Sequence, residues 1–174
     1  MYFTLFKPKP EWVGIATGAS HRNTSPIRTA GHAFDGHVQT LALAGIEAVE
    51  IDELSWLDED LSRFKLGKPY VLLVPGSAPN RLEKRWPAKR YAELAGRLSR
   101  EGHQVIALGT DMETVLVDEI KKVFPDIIDL TGQTSLGQIS ALARHAVGTI
   151  GNDTGPMHIA AATGCACLTI FSKF

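Results

Sequence analysis

The residues best suited to chemistry lie in the segment 151–158, which reads GNDTGPMH between an apolar run and a small-residue run. Pro156 suits the first turn of a helix, where its missing N–H has no cost, and Asp153 or Thr154 can cap that helix. Gly155 allows a ligand to approach the backbone closely. The N–H groups of a first turn and the positive end of the helix dipole attract anions. The segment therefore predicts a site for a phosphorylated ligand.

His158 and Asp153 have different expected roles at this site. His158 lies one turn into the predicted helix, where it either contacts the ligand or is held by its own helix, and we favour the contact. A diphosphate would repel the Asp153 carboxylate. We therefore expect Asp153 to cap the helix or to accept hydrogen bonds from sugar hydroxyls.

A basic loop at residues 75–87 follows the apolar run Tyr70–Val74. Ser77 offers a hydroxyl group, and Lys84 offers a mobile point charge of the kind that suits phosphate. By itself the loop is more typical of a solvated basic surface. Because it faces the 151–158 segment in the fold predicted below, we assign it to phosphate binding.

A carboxylate at Asp111 follows the next apolar run, within the sequence GTDME. An acidic residue at this position accepts hydrogen bonds from ribose hydroxyls in dinucleotide-binding folds. Asp111 is equally suited to capping the helix that follows it. The sequence leaves both roles open.

The elements that position these residues alternate between strands and helices from residue 68 to 174. Strands are predicted at 70–74, 104–108, 127–130, 147–150 and 165–171, with amphipathic helices between them. This alternation predicts an α/β fold with a Rossmann-like parallel sheet and helices on both faces. Ligands of such sheets bind beyond the carboxyl ends of the strands, where the loops 75–85, 109–113 and 151–154 all fall.

The N-terminal part, residues 1–64, has a different character. A strand is predicted at Trp12–Ala16 and a helix at Phe34–Ala44, and Asp52–Phe64 is expected to be an exposed connection. One or two strands do not form an independent core, so we expect this part to rely on residues 65–174 or on a further segment. Both ends of the chain resemble cuts through a larger protein.

Composition and motifs exclude several classes. The 174 residues are 44% hydrophobic and 21% charged, with a net charge of −1, so a general nucleic-acid binder is not expected. A signal peptide and a membrane-spanning run are both missing, which favours a cytoplasmic protein. The phosphate-binding motifs GxxxxGK[ST] and GxGxxG are absent, which argues against an NTPase and a nicotinamide dehydrogenase.

Cysteines and histidines do not form a metal-binding pattern. Cys165 and Cys167 alternate with alanine on a predicted buried strand, where we expect them to act as small apolar residues. His21, His32 and His37 lack the close spacing of metal ligands. We predict no metal site.

Four blocks, in order, resemble the C-terminal half of the ADP-heptose–lipopolysaccharide heptosyltransferases, glycosyltransferase family 9. The blocks are PGSAPNRLEKRWPAKRYAELAGRL, ALGTDMETVLVDEI, DLTGQTSLGQISALARHA and GNDTGPMHIAAATG. The resemblance covers about residues 68–172, and residues 1–64 are more weakly similar to the end of the family's N-terminal domain. It implies the GT-B architecture, in which two Rossmann-like domains face a cleft. Residues 1–64 would then belong to the acceptor-side domain and its linker, and residues 65–174 to the domain that binds the donor.

The resemblance also implies a role for individual residues. The hydroxyl and lysine that hold the donor diphosphate match Ser77 and Lys84, and the acid that meets the ribose matches Asp111, where well-known members carry glutamate. The family's D-T-G-x-x-H turn lies along the diphosphate and the sugar. Its residues match Asp153, Thr154, Gly155 and His158.

The implied activity is inverting transfer of heptose, or a related sugar, from an ADP-sugar to the lipopolysaccharide inner core. No cofactor beyond the donor is implied, and the lipid acceptor implies peripheral contact with the cytoplasmic face of the inner membrane. The family's catalytic base lies in a region with no counterpart here, so we expect the 174-residue chain to be inactive alone. The alternatives are another GT-B transferase with a different nucleotide-sugar, or a non-catalytic nucleotide-sugar-binding protein.

Overall fold

The structure is a computed structural model that describes residues 10–67 and 69–171. The chain divides into two compact units between Ile51 and Asp52. The boundary predicted from the sequence lies later, between residues 64 and 65. The assignment of the two parts to an acceptor-side domain and a donor domain stays a prediction.

Within residues 10–51, the first unit contains two short strands and one α-helix. They are β1 (Val13–Gly14), β2 (His21–Arg22) and α1 (Ala33–Ala42). The two strands pair in parallel, and the Nδ1 atom of His32 caps α1 by accepting a hydrogen bond from the Phe34 N–H at 3.2 Å. The strand and the helix predicted for this part are both confirmed, although the strand is shorter than expected.

Within residues 52–67 and 69–171, the second unit contains five strands and four α-helices. Its strands are β3 (Tyr70–Val74), β4 (Gln104–Ala107), β5 (Ile128–Asp129), β6 (Gly148–Asn152) and β7 (Cys167–Ile170). Its helices are α2 (Ala88–Arg100), α3 (Thr114–Val123), α4 (Leu136–His145) and α5 (Gly155–Ala162). Among the helices of the described ranges, none combines the length and the apolar character needed to cross a membrane.

The sheet is entirely parallel, with strand order β5-β4-β3-β6-β7. Side chains of the central strand β3 alternate between its two faces. Tyr70, Leu72 and Val74 pack with residues of α4 and α5, whereas Val71 and Leu73 pack with residues of α2 and α3. Helices therefore cover both faces, and the predicted α/β fold is confirmed. The carboxyl ends of β3, β4 and β6 lie along one edge.

The prediction that Asp52–Phe64 is an exposed connection is only partly correct, because most of its residues are exposed but several contact α4 or the core. Asp58 accepts hydrogen bonds from the Ser140 hydroxyl at 2.7 Å and from Nε of Arg144 at 2.6 Å. Apolar side chains of the same segment, including Phe64, pack against the core beside α4. Among the charged side chains of this segment, Asp58 forms an ion pair with α4 through Arg144. The hydrogen bond from Arg144 is the main reason that the pKa of Asp58 lies below its ordinary value.

The prediction of a buried strand from Cys165 to Phe171 is only partly correct. Strand β7 begins at Cys167, so Cys165 precedes it, and both Cys167 and Leu168 are exposed. The reason is the position of β7 at the edge of the sheet that the described residues form. Composition alone did not distinguish an edge strand from a central one.

Candidate functional site

A pocket of about 350 Å³ lies at the carboxyl edge of the sheet, where the segments after β3, β4 and β6 converge. Three of the sequence-predicted residues on the last segment line it, namely Asp153, Thr154 and Gly155. Ser77 lines it from the segment after β3, and Glu113 from the segment after β4. The predicted meeting of three loops at this edge is therefore present in the fold.

Two further predicted site residues, Lys84 and His158, lie beside the Asp153 carboxylate, which lines the pocket. The Nζ atom of Lys84 donates to Oδ2 of Asp153 at 3.0 Å. Nε2 of His158 lies 3.5 Å from Oδ1 of the same carboxylate. The side chains of Lys84 and Asp153 are 22% and 32% exposed, whereas that of His158 is 78% exposed. The lysine and the carboxylate are thus partly shielded from water, and the histidine is not.

Helix α5 begins beside the pocket. Thr154 occupies the N-cap position with an extended backbone, and Pro156 lies within the first turn. Within the described residues, the Thr154 side chain makes no capping hydrogen bond, and the Asp153 carboxylate bonds Lys84. The predicted capping by the Thr154 side chain is therefore wrong, and the first turn of α5 lines the pocket through Gly155 and Pro156.

Ser77 is buried within a hydrogen-bond network. Its hydroxyl donates to the Arg81 carbonyl at 3.0 Å and accepts from Nε of Arg85 at 3.1 Å. Arg85 also donates from Nη2 to Oε1 of Glu113 at 3.3 Å. This network joins the segment after β3 to the segment after β4. The Ser77 hydroxyl therefore shapes the loop, and its predicted contact with phosphate stays a prediction.

The sequence left two roles open for Asp111, namely capping the following helix and contacting a ribose. Thr110 is the N-cap of the turn Asp111–Glu113, and Oε2 of Glu113 accepts from the Thr110 N–H at 2.9 Å. Thr110 and Glu113 therefore cap this turn rather than Asp111. Asp111 is exposed, and its Oδ1 lies against Gly132, where a Cβ has no room. Its contact with a ribose stays a prediction.

Asn152 is a functional candidate that the sequence reasoning missed. It ends β6, is fully buried, and connects three segments through its amide. Oδ1 accepts from the Trp86 N–H at 3.0 Å and from the Tyr91 hydroxyl at 3.2 Å. Nδ2 donates to the carbonyl oxygens of Pro75 and Gly76 at 2.7 and 3.1 Å. A polar residue at the end of an apolar strand, directly before Asp153, was the available signal.

Two glycines, Gly151 and Gly76, allow close packing between the segments around the pocket. A Cβ on Gly151 would lie 2.6 Å from both Cβ and the carbonyl oxygen of Val74. A Cβ on Gly76 would lie 2.7 Å from Cγ of Glu113. Only glycine lets these segments approach so closely. The loops are therefore held together by packing as well as by hydrogen bonds.

The arrangement is suited to binding a phosphorylated ligand. It combines the start of α5, a lysine and a carboxylate at the edge of a parallel sheet where such ligands bind. Within residues 10–67 and 69–171, histidine, cysteine and acidic side chains form no group of three or more that could hold a metal ion.

Comparisons with known proteins agree with this architecture. The sequence model of glycosyltransferase family 9 (heptosyltransferase) matches residues 41–173. Lipooligosaccharide heptosyltransferase 2 of Haemophilus influenzae is 30% identical over 109 residues, which cover 60% of this chain and 31% of that protein.

Two solved structures resemble the fold. The E. coli ADP-heptose LPS heptosyltransferase II matches with a TM-score of 0.57 and 31% identity, over 70% of this chain and 38% of that one. The family 9 glycosyl transferase of Veillonella parvula matches with a TM-score of 0.67 and 25% identity, over 87% and 46% of the two chains. The chain therefore spans less than half the length of each of these relatives. Because the family model covers more than half of this sequence, the chain belongs to glycosyltransferase family 9.

Proposed function

We propose that this chain carries the nucleotide-sugar site of a heptosyltransferase, which transfers heptose from ADP-heptose to the lipopolysaccharide inner core. The observation that carries the proposal is the pocket at the start of α5, which is lined by Asp153, the carboxylate to which Lys84 donates. Family membership supports the reaction class. The names of the relatives, which include an ADP-heptose LPS heptosyltransferase, support the donor and the acceptor.

The donor diphosphate would lie between Lys84 and the first turn of α5. There the lysine ammonium and the backbone N–H groups at Thr154 and Gly155 would neutralise the charge that develops on the leaving diphosphate. Donors held in place before the reaction are effective because they need no reorganisation in the transition state. An inverting displacement at the sugar carbon would then release ADP.

The nucleoside and the sugar would extend to either side of the diphosphate. Glu113 already accepts from Thr110 and Arg85, which leaves exposed Asp111 as the ribose acceptor on the segment after β4. Asp153 and His158 would accept from or donate to the hydroxyl groups of the heptose. The protein would meet its lipid acceptor by peripheral contact at the cytoplasmic face of the inner membrane.

A nucleotide panel tests the donor assignment. Thermal unfolding of the chain is measured with ADP, ADP-sugars, UDP-sugars and GDP-sugars at equal concentrations. A ligand at 100 times its Kd stabilises the folded state by about 2.7 kcal/mol, which is a readily measured shift in Tm. We expect ADP and ADP-sugars to stabilise the protein. Stabilisation by a UDP- or GDP-sugar alone would replace ADP-heptose with another donor.

Measuring heptose transfer distinguishes a heptosyltransferase from a protein that only binds the nucleotide-sugar. None of the residues assigned above removes the proton from the acceptor hydroxyl, so we expect the 174-residue chain to bind ADP-heptose without transferring heptose. Robust transfer by this chain would contradict that expectation. Absence of transfer by the longer protein that contains this sequence, despite donor binding, would favour a non-catalytic nucleotide-sugar-binding protein.

A further inference from the structure

The buried amide of Asn152 uses both of its polar atoms to connect segments that are distant in sequence. Its oxygen accepts from Trp86 and Tyr91, and its nitrogen donates to the carbonyl oxygens of Pro75 and Gly76. The residue has no exposed surface. An asparagine amide offers an acceptor and two donors, so this site satisfies both kinds of group.

Three of these four partners, Pro75, Gly76 and Trp86, lie within two residues of a residue of the proposed donor site. Gly76 precedes Ser77, Trp86 lies two residues after Lys84, and Asn152 itself precedes Asp153. The same side chain therefore connects the beginning and the end of the 75–87 loop to the turn that leads into α5. The separation between Lys84 and Asp153 depends on this connection, because their loops have Asn152 as a shared anchor.

We infer that Asn152 is a positioning residue that holds Lys84 opposite the start of α5, an inference that rests on the proposed donor function. Its amide does not line the pocket, so it acts through the two loops and not on the ligand. Removing the amide leaves a buried N–H, a buried hydroxyl and two carbonyls without this partner. Those groups must then move toward other partners or water, because buried polar groups without hydrogen bonds are costly.

The test compares two neutral truncations on the same strand. Asn152→Ala removes the shared anchor without changing the charge near the ligand. Thr149→Ala also truncates a buried polar side chain of β6, but its hydroxyl contacts Cys165 and neither loop. We expect Asn152→Ala to weaken ADP binding about tenfold or more in calorimetry, and Thr149→Ala to stay within about threefold of the wild type. Both are measured at a temperature where circular dichroism shows a folded protein.

A second readout does not depend on nucleotide binding. The rate of reductive methylation of Lys84, followed by mass spectrometry, reports how well its ammonium is held at Asp153. Lys121 of α3 is the internal reference, because its ammonium also pairs with a carboxylate, that of Asp129, at 2.8 Å. We expect Asn152→Ala to raise the Lys84 rate relative to Lys121, and Thr149→Ala to leave the ratio unchanged.

The possible outcomes distinguish a failure of the donor proposal from a failure of the inference about Asn152. If wild-type protein does not bind ADP, the donor proposal fails, and the Lys84 labelling ratio still decides whether Asn152 positions the lysine. If Asn152→Ala folds and keeps the wild-type ADP affinity and labelling ratio, Asn152 has only a structural role and the inference is wrong. If Asn152→Ala does not fold, Tyr91→Phe replaces it, because it removes one of the four hydrogen bonds. An unchanged labelling ratio in that variant would likewise overturn the inference.

Discussion

Replacing Lys84 with methionine removes the ammonium and keeps most of the side-chain stem, so it tests the charge at the proposed diphosphate site. In the structure the ammonium donates to Asp153 at 3.0 Å. A bound phosphate would therefore compete with Asp153 for this ammonium. The net effect on affinity is the difference between these two contributions.

The magnitude follows from the burial of the two side chains. A hydrogen bond from an ammonium to a phosphate oxygen contributes about 1.5–3 kcal/mol. The pair with Asp153 is about a quarter to a third exposed, so its loss costs only about 0.2–1 kcal/mol. The difference is roughly 0.5–2.8 kcal/mol, which corresponds to about a 2.3- to 100-fold rise in the Kd for ADP.

Titration calorimetry with ADP measures this change, and two further variants serve as controls. Asp153→Asn removes the competing carboxylate, so we expect it to keep or improve ADP affinity, because ADP lacks the sugar that Asp153 is proposed to contact. Lys121→Met removes an ammonium of similar exposure on α3, and we expect it to leave ADP affinity unchanged. An ADP affinity in Lys84→Met within about twofold of the wild type would refute the assignment of Lys84 to the diphosphate.

Three further predictions concern stability and are checked by chemical denaturation. Gly151→Ala places a Cβ against Val74 and should lower the free energy of unfolding by about 1–3 kcal/mol. Glu113→Gln removes a buried carboxylate that accepts three hydrogen bonds and should lower it by about 1–3 kcal/mol. Asp58 has a lowered pKa because Arg144 donates to it, so its contribution is present above its ordinary pKa of 3.8 and is lost as the pH falls through its lower folded-state pKa.

Matched variants separate these effects from general sensitivity to mutation. Within the described residues, a Cβ on Gly155 would enter open space, so Gly155→Ala should change stability by less than about 0.5 kcal/mol. Glu93→Gln breaks the exposed pair with Arg90 and should have a similarly small effect. Asp58→Asn should be less stable than the wild type near neutral pH and should approach it in acid. A stability difference between Asp58→Asn and the wild type that stays constant down to about pH 2 would contradict the last prediction.

Much of the second unit was predictable because its signals are local. Apolar runs such as Tyr70–Val74, separated by amphipathic segments, determine the alternation of strands and helices. The alternation in turn predicts a parallel sheet and the edge at which its loops meet. The pattern Thr110-x-x-Glu113 is itself a helix-start signature, although the sequence reasoning considered only Asp111 as a cap at this position and left its role open.

The sequence by itself determined the family, the alternating elements and the residue types gathered at one edge of the sheet. Only the tertiary structure decided which polar groups pair there. It joined Lys84 to Asp153, Arg85 to Glu113, and Asn152 to the loop after β3. The physical reason is the separation of the partners along the sequence, because hydrophobic periodicity encodes only contacts between near neighbours in the chain. Partners that are 28 to 77 positions apart are selected by the path of the folded backbone and by the need to satisfy every buried polar group.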